Sequence, residues 1–159
     1  MQNTSKELFN SLKDNRLDAA IIDQHAASHV YWQEDLFSEC YYAIVSLQHS
    51  LACLDAVTIE QLSKETLILH QAPCNSRTHL LTAFKQSTHQ STTLDDVPFG
   101  DYIFGLVMAN RGITMMTELA AMATAHLPLK GPPIKDAPLQ RIISLVAKNK
   151  NTGQKLLHH

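Results

Sequence analysis

The amino-acid sequence predicts an α/β fold with a largely parallel sheet. Apolar runs of strand length recur along the chain, at residues 17–22, 41–47, 66–69, 113–116 and 142–147. Helical stretches and short loops separate these runs, and this alternation is typical of α/β proteins. The composition, with 45% hydrophobic and 18% charged residues, indicates a globular chain with a sizeable core.

The first elements follow from local signals. Thr4 and Glu7 have the spacing of a capping box and predict a helix that begins there. Asn15 is suited to a left-handed residue that ends this helix. Residues 17–22 are apolar without interruption, which predicts a strand buried on both faces. Residues 23–35 are predicted to be a polar loop.

The remaining helices are predicted from polar caps that precede apolar positions at helical spacing. These caps are Thr58, then Asn75 or Ser76, then Asp101, and finally Thr117. Residues 87–93 predict a loop or an edge strand, because they are rich in Ser, Thr and Gln. Residues 110–112 are predicted to end the helix that Asp101 begins.

Charge and composition exclude several classes of protein. The chain has 13 Lys and Arg against 15 Asp and Glu, a net charge of −2, so nucleic-acid binding by this stretch is not expected. No apolar run has the length of a membrane-spanning helix, and residues 1–9 lack the pattern of a secretory signal, so neither feature is expected. The three cysteines are odd in number and widely spaced, which argues against a disulfide framework and favours the cytoplasm.

No motif for nucleotide binding, metal-dependent proteolysis or serine hydrolysis occurs. His70 and Cys74 have the spacing of metal ligands on a helix, but Pro73 lies between them and a strand precedes them. We therefore expect no metal, no cofactor and no enzymatic activity. Cys40 and Cys53 lie in apolar stretches and are predicted to be buried. Cys74 lies just before a helix, where a thiolate is favoured, so both an ordinary loop thiol and a reactive one stay open.

Five segments, in order over residues 8–148, carry a family resemblance. Residues 16–22 match an L-D-x-A-I strand, and residues 36–45 with 49–52 match a crossing strand and an H-P-L-A turn in which serine replaces proline. A short helix and strand at residues 57–69, a helix-to-strand turn at 106–113 and a final strand at 134–146 complete the series. Together these segments resemble the effector-binding domain of LysR-type transcriptional regulators.

The resemblance implies a two-lobed, periplasmic-binding-protein-like fold with two crossing strands. The first lobe would comprise residues 1–46 and 127–159, and the second lobe residues 47–126. It further implies a cytoplasmic ligand-sensing domain, part of a DNA-binding regulator, that binds a small-molecule effector in the cleft between the lobes. Effector binding would be transmitted by a change of conformation or assembly, commonly in a homodimer.

The resemblance also assigns ligand-binding residues, at strand ends and helix starts. They are Asp23 and Gln24 after the first strand, His70 and Gln71 after the third, Asn75 and Ser76 at one helix start, and Phe99, Gly100 and Asp101 at the next. Two helix starts suit an anionic ligand, but the carboxylate of Asp101 opposes it, so the sign of the ligand's charge stays open. Cys74 occupies the place of the reactive cysteine in peroxide-sensing members.

The chain departs from the family pattern at its beginning. The helix-turn-helix and the opening strand, helix and strand of the sensor domain have no counterpart here, so the first lobe is expected to be incomplete, with exposed strand edges. Either a second copy covers these edges, or the chain is a shortened piece of the domain, or it is a degenerate relative. Two alternatives to the sensor function follow. One is a truncated module that pairs with another regulator chain, and the other is a redox sensor based on Cys74.

Overall fold

The computed structural model describes residues 4–24, 30–87, 93–98, 100–136 and 139–158, and the structural statements below concern these residues. The chain forms two compact units. Unit 1 comprises Met1–Ser38 and Arg141–His159, and unit 2 comprises Glu39–Gln140. These bounds differ from the predicted lobes, 1–46 with 127–159 and 47–126, because the chain passes from one unit to the other inside two long strands.

The elements follow one another along the chain with short connections. Unit 1 contains α1 (Ser5–Lys13), β1 (Ala19–Asp23), the first part of β2 (Trp32–Ser46), most of β7 (Gln140–Ala147) and α6 (Lys150–Leu157). Unit 2 contains the rest of β2, a 3₁₀ turn (Ser50–Cys53), α2 (Ile59–Ser63), β3 (Thr66–His70), α3 (Asn75–Gln86), β4 (Thr93–Val97), α4 (Tyr102–Met108), β5 (Thr114–Thr117), α5 (Glu118–Ala123) and β6 (Leu129–Lys130).

In unit 1, β7 lies between β1 and the first part of β2. β1 and β7 are antiparallel, in a register that runs from Ala19 opposite Ala147 to Asp23 opposite Ile143. A small core joins α1 to one face of these strands and consists of Leu12, Ala20, Ile22 and Val146. On α6, Gly153 is buried against the indole ring of Trp32, so the helix backbone approaches the ring closely.

In unit 2, the second part of β2 pairs antiparallel with β5 and with β6. β3 and β4 form a parallel pair, from Thr66 opposite Thr93 to His70 opposite Val97. Ile113, just before β5, bridges to Leu67 on the other edge of β3. The larger core of this unit contains fully buried side chains from β2, α2 and β3, among them Val45, Leu62 and Leu67.

The α/β class agrees with the prediction, but a largely parallel sheet is not confirmed. The pairs β1–β7, β2–β5 and β2–β6 are antiparallel, and β3–β4 is parallel. An uninterrupted apolar run indicates that both faces of a strand are buried. Helices can bury the faces of parallel and of antiparallel strands, so such a run does not indicate the direction of the strand. The predicted loop at residues 23–35 is also too long, because β2 already begins at Trp32.

Some of the predicted helix starts and ends are confirmed and others are wrong. Capping boxes are present at Thr4 with Glu7 and at Thr58 with Gln61, as the spacing predicts for the first pair. Asn15 and Asn110 have positive φ angles of 60° and 54° and end their helices as expected. Neither Asn75 nor Ser76 is the cap of α3, because the helix starts one residue earlier than predicted and Cys74 is its N-cap.

Three further predictions concern surface and end regions. Cys53 is exposed at the end of the 3₁₀ turn and Cys40 is half-buried, so the prediction that both are buried is wrong. Asp101 precedes α4 but its side chain makes no capping hydrogen bond. Of the predicted loop or edge strand at 87–93, residues 88–92 lie outside the described residues, and Thr93 begins β4. No helix in the described part of the chain is both long enough and apolar enough to cross a membrane.

Candidate functional site

The carboxyl ends of β3 and β4 lie side by side in unit 2, because the two strands are parallel. His70 ends β3, and its Nε2 lies 3.2 Å from the carbonyl oxygen of Gly100, beyond the end of β4. A carbonyl oxygen only accepts hydrogen bonds, so Nε2 carries the proton. The backbone N–H of Gln71 donates to the carbonyl of Val97 at 2.8 Å. The structure thus brings together three of the predicted site residues, His70, Gln71 and Gly100.

The first turn of α3 follows β3 after a short connection. Cys74 is the N-cap and makes no side-chain capping bond, although its carbonyl accepts hydrogen bonds from the backbone and hydroxyl of Thr78. Asn75 and Ser76 are half-buried in this turn, and the hydroxyl of the buried Tyr41 lies 3.4 Å from Ser76 Oγ. Amide N–H groups that no side chain caps favour acceptor or anionic groups at such a helix start.

Near this helix start, three carboxylates face one basic side chain. Arg77 on α3 forms an ion pair with Asp96 on β4, so its guanidinium group is already engaged. Asp95 and Asp101 are exposed carboxylates. The positive potential at the start of α3 is therefore that of backbone amides rather than of a free basic side chain.

In unit 1 the two predicted residues have different surroundings. Asp23 is only 1% exposed, and its backbone N–H donates to Ser5 Oγ on α1 at 3.2 Å. Gln24 is half-buried, and its side-chain Nε2 donates to Oδ1 of Asp35 at 3.4 Å. The same Asp35 oxygen accepts from Gln33 Nε2 at 3.3 Å and from Ser144 Oγ at 2.7 Å.

We call four residues the Asp35 cluster: Gln24, Gln33, Asp35 and Ser144. The sequence interpretation named Gln24 but missed the other three. Gln33 and Asp35 are two residues apart and share one face of β2, while Ser144 lies on the neighbouring strand β7. Residues 23–35 were predicted to be a loop, so the alternation of side chains along a strand was not applied to them. That alternation would have placed Gln33 and Asp35 on the same face of a strand.

Phe99 and Cys74 are the remaining predicted residues of interest. Phe99 lies outside the described residues. Cys74 is a free, half-buried cysteine, and its redox role stays a prediction. Among the residues that the structure describes, no group of three or more His, Cys, Asp or Glu side chains is placed to hold a metal ion.

Known structures share this fold. The BenM effector-binding domain with its effector benzoate is 20% identical, with 98% of this chain and 76% of that chain covered and a TM-score of 0.83. The effector-binding domain of QuiR in complex with shikimate is 22% identical, with coverages of 95% and 71% and a TM-score of 0.79. The reduced OxyR regulatory domain from Pseudomonas aeruginosa is 18% identical, with coverages of 98% and 77% and a TM-score of 0.80.

At these identities the structural likeness is one of fold. No curated protein matches the chain significantly by sequence. The family model of the LysR substrate binding domain, however, matches residues 1–158, which is nearly the whole chain. The predicted resemblance is thereby confirmed, and the chain belongs to the family of LysR substrate-binding domains.

Proposed function

We propose that this LysR substrate-binding domain senses a small organic effector, which contacts the carboxyl end of β3 and the first turn of α3. The observation that carries the proposal is the hydrogen bond between His70 and Gly100, with the start of α3, which the side chain of its N-cap residue leaves uncapped, following His70 closely in the same unit. Ligands of open α/β folds bind beyond the carboxyl ends of parallel strands, where strand ends and helix starts offer polar groups.

The chemistry of this region favours an acceptor group on the ligand, such as a carboxylate. The amide N–H groups at the start of α3 and the hydroxyl of Ser76 are hydrogen-bond donors. The effectors of two structural neighbours, benzoate and shikimate, are both carboxylates. Because the family consists of regulator domains, we propose that the ligand is bound without chemical conversion.

Titration of the isotope-labelled chain with benzoate and with shikimate, followed by nuclear magnetic resonance, tests the proposal. Binding in the range of about micromolar to millimolar should perturb the backbone amides of Asn75, Ser76 and Gly100 first. Ser76→Ala should weaken binding about fivefold to tenfold, the value of one hydrogen bond. Ser87→Ala, at the other end of α3, is the matched control and should change the affinity less than about twofold.

Two results would count against this site. Perturbations that cluster elsewhere in unit 2 would show that the ligand does not contact the start of α3. A failure of both carboxylates to perturb any amide at millimolar concentration would contradict binding of this ligand class.

We further propose that the domain works in an assembly with a second copy. An effector shifts an equilibrium between two arrangements only by its different affinity for them, so a bound effector should change the apparent association constant. Sedimentation at several concentrations, with and without the ligand that binds, measures this change. A pure monomer under both conditions would contradict it.

A further inference from the structure

We propose that the free edge of β1 is a docking surface for a second copy of this chain, with the two β1 strands paired antiparallel around a two-fold axis at Ala20. The inference rests on the proposed assembly with a second copy, for which it names the contact surface. All the residues that carry it belong to unit 1. β1 lies at the end of its sheet, where β7 is its neighbour on one side.

The hydrogen bonds of β1 establish which of its backbone groups face β7. In an antiparallel pair, every second residue exchanges hydrogen bonds with the neighbouring strand, and the residues between them direct their N–H and C=O groups to the other side. The N–H of Lys148 donates to the carbonyl of Asp18 at 3.1 Å. Ala20 and Ile22 follow Asp18 at intervals of two residues, so they are the residues of β1 that bond to β7.

The residues between them direct their backbone groups away from β7. These residues are Ala19, Ile21 and Asp23. The N–H of Asp23 agrees with this direction, because it donates to Ser5 Oγ on α1 at 3.2 Å rather than to β7. Among the residues that the structure describes, none bonds to the outward N–H and C=O groups of Ala19 and Ile21. We call these four groups the β1 edge.

The β1 edge is short, because hydrogen bonds within unit 1 close both of its ends. Ser5 occupies the N–H group that follows the edge, at Asp23. The N–H of Leu17, which precedes the edge, donates to the carbonyl of Ser11 at 3.2 Å. A partner strand can therefore extend the sheet only at Ala19 and Ile21.

The β1 edge also lacks the features that usually prevent strands from pairing between molecules. Natural edge strands often carry charged residues, proline or a bulge. β4, at the edge of the other sheet, carries Asp95 and Asp96 near its middle. Residues 19–22 of β1 are Ala-Ala-Ile-Ile, and the side chain of Ile21 is 58% exposed. The edge thus presents backbone polar groups beside an uncovered apolar side chain.

A second copy of the same edge is the complementary partner. With the two-fold axis at Ala20, Ala19 of each copy lies opposite Ile21 of the other copy. Each of these two pairs exchanges two hydrogen bonds, so the pairing engages every group of both edges. The large side chain of Ile21 then lies beside the small side chain of Ala19. The same surface serves both copies, so the contact closes at a dimer.

This pairing leaves the existing hydrogen bonds of unit 1 intact. It requires neither the N–H of Asp23, which Ser5 keeps, nor the N–H of Leu17, which Ser11 keeps. The contact is small, and small interfaces are typical of weak or transient complexes. We expect a dissociation constant between about 10 micromolar and 1 millimolar.

Sedimentation equilibrium of the parent chain and three variants tests the surface. Ile21→Lys places a charge beside the β1 edge, and Ala19→Pro removes an outward N–H, a change that the free side of an edge strand tolerates. Each should weaken association more than about tenfold, because each disturbs both halves of a symmetric contact. Leu119→Lys is the matched control and should change association less than about twofold. Leu119 is also 58% exposed, but it lies on α5 in unit 2.

Hydrogen exchange of the backbone amides, followed by nuclear magnetic resonance, tests the strand pairing itself. In a dilute sample the amides of Ala20 and Ile22 should exchange slowly, because they bond to β7, and those of Ala19 and Ile21 should exchange fast. A higher protein concentration should slow exchange at Ala19 and Ile21. In Ile21→Lys, a higher concentration should no longer slow exchange at Ala19.

The outcomes separate this inference from the proposals on which it rests. A dimer that neither β1 variant weakens, or that Leu119→Lys weakens as much as Ile21→Lys does, would overturn the role of the β1 edge and leave the assembly to another surface. A parent chain that stays monomeric at about 1 millimolar would contradict both the edge and the assembly. The carboxylate titration reports on residues of unit 2, so none of these results bears on the ligand site.

A folding control accompanies these measurements. Circular dichroism of each variant verifies that unit 1 is intact. If Ala19→Pro does not fold, Ile21→Lys and the exchange at Ala19 and Ile21 in the parent chain still decide the question. Exchange at these two amides that does not depend on concentration would overturn the inference.

Discussion

Replacing Gly153 by alanine should destabilise unit 1, although alanine is the better helix former. Gly153 lies inside α6 and is buried against the ring of Trp32. A Cβ atom placed on its backbone would overlap the indole, and even the third-nearest ring atom, Cη2, would lie only 2.7 Å away. The indole is rigid, so either the ring must leave its position or α6 must move away from β2.

The expected size is the difference of two effects. Alanine in place of glycine within a helix stabilises by about 0.5–1 kcal/mol. Overpacking of a well-packed contact costs about 1–3 kcal/mol. The difference of these ranges runs from about zero to about 2.5 kcal/mol. Because the added Cβ would overlap three atoms of a rigid ring, we expect the upper part, a loss of about 1–2.5 kcal/mol, or roughly 3–8 °C in melting temperature for a chain of this length.

A double-mutant cycle isolates the contact. Urea unfolding followed by circular dichroism gives the stability of the parent, Gly153→Ala, Trp32→Ala and the double variant. In the Trp32→Ala background the ring is gone, so Gly153→Ala should become stabilising. Trp32 is the only tryptophan in the chain, and its fluorescence should shift to the red in Gly153→Ala. Equal or higher stability of Gly153→Ala, with unchanged fluorescence, would refute the packing of α6 on Trp32.

Three further predictions concern titration and the core. The pKa of Glu7 is lowered by its hydrogen bonds from the N-cap of α1, so its stabilisation is complete above the reference value of 4.5 and is lost as pH falls through the lower folded value. In Glu7→Gln, the free energy of unfolding should fall less steeply as pH decreases below about 4.5. Burial, followed by the nearby charge of Glu118, raises the pKa of Tyr42 above the reference value of 10.0. The contribution of Tyr42 to stability is therefore lost as pH rises through the folded pKa. In Glu118→Gln, a titration followed by tyrosinate absorbance should give a lower pKa for Tyr42. Leu62 is fully buried, and Leu62→Ala should cost about 2–5 kcal/mol in urea unfolding.

Structural features that depend on only a few neighbouring residues could be predicted from the sequence. The capping box of Thr4 and Glu7 needs only a spacing of three residues, and both hydrogen bonds are formed. Asn15 and Asn110 are the residue type that tolerates a positive φ, which is what the ends of their helices require. The strand at 66–69 is likewise nearly complete in the prediction, because its apolar run is bounded by polar residues.

Features that depend on distant partners could not be predicted in the same way. The direction of β7 relative to β1 is decided by how the chain returns, and no residue within either strand encodes it. The Asp35 cluster combines side chains from three separate segments, and its hydrogen bonds exist only after those segments pair. The candidate site at β3 and α3 was easier to predict, because His70 and Ser76 are close in sequence.

The chain passes from unit 1 to unit 2 and back again, and this arrangement affects the order in which the units can fold during synthesis. Unit 2 is one continuous stretch, Glu39–Gln140, and it is synthesised in full before Ala147, the last residue of β7. Unit 1 is discontinuous, since Ala19 on β1 pairs with Ala147 on β7. Such distant pairing is slow to form, and β1 must wait without its partner while the intervening residues are translated. All residues of unit 2 are thus available for folding before β1 has its complete partner strand.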